Sequence, residues 1–188
     1  RRRLMSKFEK RAGGLKVEVR MDDSGLSVEG YAAVFGQETD IAGLFREIIE
    51  PGAFRKAIGR DDVVFNINHD GLPLARTRSG TLQLTEDDHG LKMRTTLDAD
   101  DPDVKSIAGK MQRGDLDKMS FAFFAEREQW EEEEGKTPLR RVKDVRLQDV
   151  SIVTFPAYEG TEIALRSRDA SRLSDPNWRL RQKAKFLR

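Results

Sequence analysis

Residues 140–157, RRVKDVRLQDVSIVTFPA, alternate apolar and polar side chains over much of their length and predict a long strand. Residues 118–130, KMSFAFFAEREQW, form a second run of the same kind. The segment between them, EEEEGKTP at 131–138, contains turn residues, so we expect the two runs to form a hairpin. Four adjacent glutamates in a turn do not converge on one point, which favours a solvated tip over a cation site.

Shorter runs before this hairpin extend the β pattern. Strands are predicted in LKVEVR (15–20), GLSVEGYAAVFG (25–36) and DVVFNIN (62–68). Residues 80–98 predict another hairpin, because two alternating runs flank a polar turn that ends at Gly90. We therefore expect about seven or eight strands, at spacings typical of an antiparallel barrel or sandwich.

The clearest helix signals lie in residues 101–114, DPDVKSIAGKMQRG. Asp101 is a good N-cap, Pro102 suits the first helical position, and Gly114 suits the position just past the end. One face of this helix is apolar and is expected to be buried; it consists of Val104, Ile107, Ala108 and Met111. A shorter helix is expected in GAFRKAIG at 52–59.

The composition is that of a polar globular protein, with 37% hydrophobic and 36% charged residues. No run approaches the roughly 18 apolar residues of a membrane helix, and the basic start lacks the apolar segment of a secretory signal, so we expect a cytosolic protein with no membrane partner. The absence of cysteine excludes disulfides and thiol chemistry. Nucleotide-binding glycine motifs are also missing, so no cofactor and no metal are expected.

Charge is distributed unevenly along the chain. Residues 1–20 hold eight Lys and Arg against two acids, residues 166–188 hold the same numbers, and 18 basic and 29 acidic residues lie between. We therefore divide the chain into a basic arm at 1–14, a β-rich domain at 15–165 and a basic tail at 166–188. Such arms bind nucleic acid or acidic surfaces, or are simply solvated. The strands lack the aromatic residues interleaved with Lys and Arg that nucleic-acid binders use, so a nucleic-acid partner is not favoured.

His69 is one of two histidines and the more informative one. It directly follows the expected core strand at 62–68 and precedes Gly71 and Pro73, which predict a turn. We expect its ring to be partly buried and fixed in orientation. A ring that only hydrogen-bonds the turn is the plainer interpretation. His89 lies in a hairpin turn, where exposure is expected.

Ser120 is the candidate nucleophile, since the chain has no cysteine and a serine needs an adjacent base. In SFAFF, Phe121 and Phe123 are expected to face the core, while Ser120 shares the other face with Ala122. Small residues on that face are expected to leave room for a substrate. Asp149 precedes an apolar strand and could orient an imidazole, although the solvated end of a strand is the plainer interpretation.

Five stretches, in this order, resemble the prohead proteases of tailed bacteriophages: GYAAVFG, EIIEPGAF, NHDGLPLA, KMSFAF and DVSIVTFPAY. These capsid-maturation serine peptidases are related to the herpesvirus assemblins. The resemblance covers roughly residues 25–164. It implies a mainly antiparallel β-barrel of the assemblin type with a few peripheral helices. It also implies that His69, Ser120 and Asp149 are the catalytic base, nucleophile and third triad member.

The chain departs from the family pattern at two places. Asp149 stands where the family usually has Glu, so the contact with His69 is expected to be longer, bridged by water, or made through a small strand shift. The herpesvirus enzymes place arginines shortly after the third triad member to support the oxyanion. This chain has FPAYEG there, at 155–160, so backbone amides are the expected donors.

The resemblance implies a serine endopeptidase of prohead maturation. Its substrates would be the major capsid protein with its scaffolding segment, other prohead proteins and the protease itself, inside the assembling prohead in the host bacterial cytoplasm. A catalytically silent scaffold or assembly module that binds capsid protein is the alternative. The herpesvirus relatives are activated by dimerisation, so a homo-oligomer is a further expectation, but the sequence identifies no dimer face.

Overall fold

A computed structural model describes residues 8–22, 25–155 and 169, which contain eleven strands and two helices. The strands are β1 (Glu9–Lys16), β2 (Glu18–Asp22), β3 (Gly25–Val34), β4 (Thr39–Ile41), β5 (Phe45–Ile49), β6 (Val64–Ile67), β7 (Asp70–Arg76), β8 (Leu82–Glu86), β9 (Gly90–Leu97), β10 (Lys118–Glu131) and β11 (Leu139–Val153). The helices are α1 (Arg55–Arg60) and α2 (Pro102–Arg113). Apart from residue 169, the basic tail predicted at 166–188 lies outside the described residues.

The strands form two sheets. The larger has seven strands in the order β1-β10-β11-β5-β4, with β6 joined to β11 and β7 joined to β6. The smaller has the order β2-β3-β9-β8. The prediction of a mainly β fold with few helices is confirmed. The predicted closed barrel is not found, because the edge strands of the two sheets do not pair with one another in the described residues, and the assemblin-type fold is not confirmed.

The β10–β11 hairpin organises the larger sheet. The two strands pair antiparallel along their whole lengths, as predicted, and the glutamate tip between them is exposed. The other edge of β11 has two parallel partners: its residues 139–142 pair with β5 and its residues 149–152 pair with β6. The prediction of antiparallel pairing therefore fails at this edge, because β5 and β6 reach β11 through long connections rather than tight turns.

The stretch at 15–20, predicted as one strand, is divided between the sheets. β1 and β2 meet at Val17, whose N–H donates to the Asp117 carbonyl oxygen at 3.1 Å. β1 pairs with β10 in the larger sheet, whereas β2 pairs with β3 in the smaller one. Residues 9–14, which the sequence assigned to the basic arm, lie in β1.

The hydrophobic core draws side chains from both sheets and both helices. Phe121 of β10 is buried at its centre, with its ring centroid 5.5 Å from that of Phe54 and 5.2 Å from that of Phe123. This packing fixes the part of β10 that also carries Ser120. Both faces of the strand are buried at this point.

Helix α2 is confirmed with its predicted ends. The Asp101 side chain accepts a hydrogen bond from the Asp103 N–H, and Gly114 closes the helix in the left-handed conformation at φ 81°. Its buried residues are the four predicted from the sequence, namely Val104, Ile107, Ala108 and Met111. The other predicted helix is observed as α1, which begins three residues later than the stretch 52–59 and continues one residue past Gly59.

Replacing Phe121 tests whether this core supports β10. Phe121→Ala is expected to lower the free energy of unfolding by about 3–5 kcal/mol, because it leaves a cavity between two neighbouring rings. Phe124→Ala is the matched control on the same strand, since its ring is only partly buried and lies 4.3 Å from the Arg146 guanidinium. Urea unfolding followed by circular dichroism measures both, and equal losses would contradict this description of the core.

Candidate active site

Side chains from three neighbouring strands of the larger sheet meet at one place. β6, β11 and β10 lie side by side; His69 follows the end of β6, β11 carries Asp149, and β10 carries Ser120. His69 is separated along the chain from these partners by 80 and 51 residues, respectively. The structure thus brings together the three residues singled out from the sequence.

The His69 ring bridges the other two side chains. Its Nε2 lies 2.7 Å from Ser120 Oγ, and its Nδ1 lies 2.6 Å from Asp149 Oδ1. The side chains of His69 and Asp149 are 3% and 5% exposed, so little water competes for these contacts. The expected lengthening or water bridge caused by the shorter Asp149 is absent, because the turn after β6 places the ring directly against β11.

His69 is positioned by a two-residue turn between β6 and β7. Asn68 and His69 have φ values of 53° and 61°, as in tight hairpin turns whose two central residues are both left-handed. This region is uncommon for residues other than glycine, although asparagine and histidine are found there more often than most, so the surrounding contacts help to hold both residues in it. The predicted Gly/Pro turn is wrong: Gly71 and Pro73 lie within β7.

Asn68 fixes this turn to β11 and its continuation. Its Oδ1 accepts a hydrogen bond from the Thr154 N–H at 2.9 Å, and its own N–H donates to the Ile152 carbonyl oxygen at 2.9 Å. The segment that carries Asp149 therefore also holds the turn that presents His69. This role of Asn68 was not predicted from the sequence, although an asparagine just after a strand is one of the few residues that readily adopt the left-handed conformation of a tight turn.

Asp149 has a second hydrogen-bond partner. Ser151, two residues further along β11, donates from its Oγ to Asp149 Oδ1 at 2.9 Å. Both side chains are buried on the face of β11 that meets His69. The carboxylate is consequently oriented from two directions, which restricts its rotation.

These contacts define the chemistry that the arrangement supports. When Asp149 accepts the Nδ1–H, the neutral ring presents a bare Nε2 to Ser120 and can take the hydroxyl proton as the oxygen attacks an electrophile. The geometry is that of an activated serine nucleophile. Within the part of the chain that the structure describes, no group of three or more His, Asp or Glu side chains is arranged to hold a metal ion.

Strand β1 covers Ser120, which has no exposed surface. Ala12 of β1 is its direct partner across the β1–β10 pair, and Ser120 Oγ lies 2.7 Å from the Arg11 carbonyl oxygen. The open space expected beside Ser120 and Ala122 is therefore not observed. The chain's own N-terminal strand pairs there with the edge of β10.

The Arg11 side chain enters a buried cluster of charges. It donates to the Glu47 carboxylate from Nε at 2.6 Å and from Nη2 at 3.1 Å, and Arg140 donates to the same carboxylate at 2.8 Å. Glu9 and Glu128 complete the cluster through contacts with Arg140. Burial alone would raise the pKa of Glu47, but the two guanidiniums outweigh burial and hold its pKa below the ordinary value. This cluster was not predicted from the sequence, since its residues come from four different strands.

Comparison with known proteins adds one match. A family model described as the caudovirus prohead serine protease matches residues 15–176 of the chain. Most of β1 precedes this match. No curated protein and no solved structure matches the chain. Among the described residues, no helix is both long and apolar enough to cross a membrane.

Substitution of Asn68 tests how the turn is held. Asn68→Ala is expected to lower the free energy of unfolding by about 1–3 kcal/mol, because it removes the contacts with Thr154 and forces alanine into a left-handed conformation. Asn68→Gly loses the same side-chain contacts but accepts this conformation, so its loss is expected to be smaller. Urea unfolding compares the two variants. Equal losses would mean that the left-handed backbone is not required.

Proposed function

Because the chain belongs to the caudovirus prohead serine protease family, we propose that it is a serine endopeptidase that cleaves phage capsid and scaffold proteins, and itself, during prohead maturation. The observation that carries the proposal is the His69 ring, held within hydrogen-bond distance of both Ser120 and Asp149. The geometry supports the type of reaction, and family membership supports the class of substrate.

In the proposed acylation step, Ser120 Oγ attacks the carbonyl carbon of the scissile peptide while its proton passes to His69 Nε2. The tetrahedral intermediate then collapses, and His69 returns the proton to the leaving amine. Asp149 holds the ring in the correct tautomer and stabilises the imidazolium that forms. Backbone N–H groups are the proposed donors to the oxyanion.

In deacylation, water replaces Ser120 as the nucleophile and Ser120 Oγ becomes the leaving group. A water molecule gives a proton to His69 and attacks the ester carbon on Ser120. Collapse of this second intermediate releases the new carboxylate, and the proton returns from His69 to Ser120 Oγ. The buried Asp149 side chain, held by Ser151, stabilises the imidazolium in both steps.

The proposed partners are the major capsid protein with its scaffolding segment and other proteins of the prohead. The proposed place of reaction is the assembling prohead in the host cytoplasm. We keep the division into a basic arm at 1–14, a protease domain at 15–165 and a basic tail at 166–188 as part of this proposal. Apart from the buried Arg11, the Lys and Arg residues of the two ends suit an acidic scaffold surface, and self-cleavage would release them.

Co-expression with the cognate capsid protein tests the proposed function. Intact masses of both polypeptides are expected to show fragments with the wild-type chain and none with Ser120→Ala, because that variant lacks the nucleophile. Ser106→Ala, which alters an exposed serine on α2, is the matched control and should behave like the wild type. Fragments that persist in Ser120→Ala would contradict the proposal. Whole masses with the wild type, while proheads assemble, would support the silent-scaffold alternative instead.

Substitutions of Asp149 test the third role. Asp149→Asn is expected to lower kcat by about 10⁴-fold, because the amide no longer stabilises the imidazolium or its tautomer. Asp149→Glu keeps a carboxylate and should retain more activity than Asp149→Asn. Initial rates are measured by chromatography on a peptide that spans a mapped capsid cut site.

The control for this series is Asp144→Asn on the same strand. Asp144 is also buried, but it pairs with Lys56 and Arg127 instead of His69. Its replacement should leave kcat within about tenfold of the wild type. An Asp149→Asn variant that is equally active would remove Asp149 from the mechanism.

A further inference from the structure

Strand β1 covers the edge of β10 beside Ser120. It pairs antiparallel with β10, and the register runs from Glu9 opposite Phe123 to Ala12 opposite Ser120. The Arg11 carbonyl oxygen lies 2.7 Å from the nucleophilic oxygen. Any substrate must also bring a carbonyl group to Ser120 Oγ, so β1 and a substrate compete for the same edge of β10.

The residue that offers its carbonyl to Ser120 also places its side chain in a built pocket. Arg11 is 3% exposed, and Glu47 binds its guanidinium through both carboxylate oxygens. The Arg11 guanidinium carbon lies 5.6 Å from the centroid of the Phe123 ring. A buried carboxylate placed in this way favours a basic side chain by its charge, and its two-pronged contact fits a guanidinium best in shape.

The charges left behind when β1 departs still favour a cation. Glu9 and Arg11 leave together as an ion pair of zero net charge, with 2.6 Å between Arg11 Nη2 and Glu9 Oε2. Glu47, Glu128 and Arg140 stay, because they belong to β5, β10 and β11. Among the described residues Glu47 then keeps Arg140 as its guanidinium partner, and a neutral side chain in the buried pocket would not replace the cation that Arg11 supplied.

Arg11 and the pocket around Glu47 that holds its side chain belong to different parts of the chain. The family match covers residues 15–176 and includes Ser120 and Glu47, whereas Arg11 precedes it. β1 is thus an N-terminal segment seated on the site of the matched domain.

We propose that Glu47 determines the specificity of the substrate site, selecting arginine or lysine on the acyl side of the cleaved bond, and that β1 occupies this site in the uncut chain. The inference rests on the proposed function. It names the type of residue that the protease prefers before the cleaved bond and the bond that it cuts in its own chain. Glu47 touches the substrate side chain and takes no part in proton transfer.

The Arg11–Ala12 bond is then the first bond to be cut. In the structure the Ser120 hydroxyl donates to the Arg11 carbonyl oxygen, and reaction begins when that proton passes to His69 instead. Ser120 Oγ bonds to the Arg11 carbonyl carbon, the bond to the Ala12 nitrogen breaks, and that nitrogen takes the proton from His69. Water then releases residues 1–11 with a carboxylate at Arg11, and the last proton returns to Ser120 through His69.

Quenched fluorescent peptides presented to the full-length chain test the specificity. One peptide carries the chain's own residues 6–17, SKFEKRAGGLKV, and three others carry Lys, Gln or Glu in place of Arg11. The expected kcat/KM for Arg or Lys is about 100-fold or more above that for Gln or Glu, because the latter two do not supply the second cation that Glu47 binds besides Arg140. Mass spectrometry of the products locates the cut bond, and Ser120→Ala controls for contaminating peptidases.

The Glu47→Gln variant tests whether Glu47 is the residue that causes the preference for Arg or Lys. This variant is expected to reduce the ratio of kcat/KM between the Arg and Gln peptides to less than about tenfold. Glu126→Gln, which alters a partly exposed glutamate paired with Arg60, should leave the ratio unchanged. Both peptides are assayed with the same preparation of each variant, so a partly unfolded fraction lowers both values of kcat/KM equally and leaves their ratio unchanged. If Glu47→Gln does not fold, the peptide series on the wild-type chain still decides the matter.

The cognate capsid protein is included in the same reactions, and all chains are followed by intact mass. The expected result is a protease that begins at Ala12 and capsid cuts that follow a basic residue. Ser120-dependent capsid cleavage with equal rates for the four peptides, or with the Arg11–Ala12 bond left whole, would overturn the inference and leave the proposed function standing. Absence of any Ser120-dependent cleavage would overturn both.

Discussion

The parallel pairing of β6 with the last part of β11 is the constraint on which the site depends. It places the turn that carries His69 beside the strand that carries Asp149. The antiparallel pairing of β11 with β10 then adds Ser120 one strand further along the sheet. Asp149 and Ser120, which are far apart in the sequence from His69, are therefore held by the backbone hydrogen bonds of adjacent strands, which position groups more rigidly than loops do, and His69 is held by the short turn that directly follows β6.

Burial strengthens these contacts and also makes the loss of either partner costly. His69 and Asp149 lie in a nearly dry environment, where a hydrogen bond to a charged group is stronger than in water and an unpaired charge is costly. The left-handed conformation at His69 is a second cost, which the contacts of Asn68 with the β11 segment offset. Strain of this kind collects at functional sites, and here it aims the ring at two partners.

The same physics governs the buried cluster around Arg140. Burial works to lower the pKa of Arg140, but the carboxylates of Glu47 and Glu9 outweigh burial and raise it. Replacing one member of such a cluster leaves another charge buried without its partner. The cluster is linked to the nucleophile through Arg11, whose carbonyl group and side chain contact the two sites. A segment that occupies the edge of β10 beside Ser120 thus also supplies a charge to the cluster.

Local patterns made part of this structure predictable from the sequence. The β10–β11 hairpin, the caps of α2 and the buried face of that helix follow from periodicity and turn chemistry within short windows. His69, Ser120 and Asp149 were selected as candidates by the order of several short stretches rather than by any one of them. The parallel partners of β11 and the division of the chain at Val17 were missed, because they depend on pairing between distant segments. The covering of Ser120 by β1 was missed for the same reason.

Covalent labelling with a fluorophosphonate while the chain cleaves capsid protein is the most direct test of Ser120 as the nucleophile. Intact mass and fragment mapping are predicted to show one adduct, on Ser120, which is lost in His69→Gln because the hydroxyl then has no base. An adduct on a different serine, or an unlabelled Ser120 in a chain that still cuts capsid protein, would contradict the mechanism.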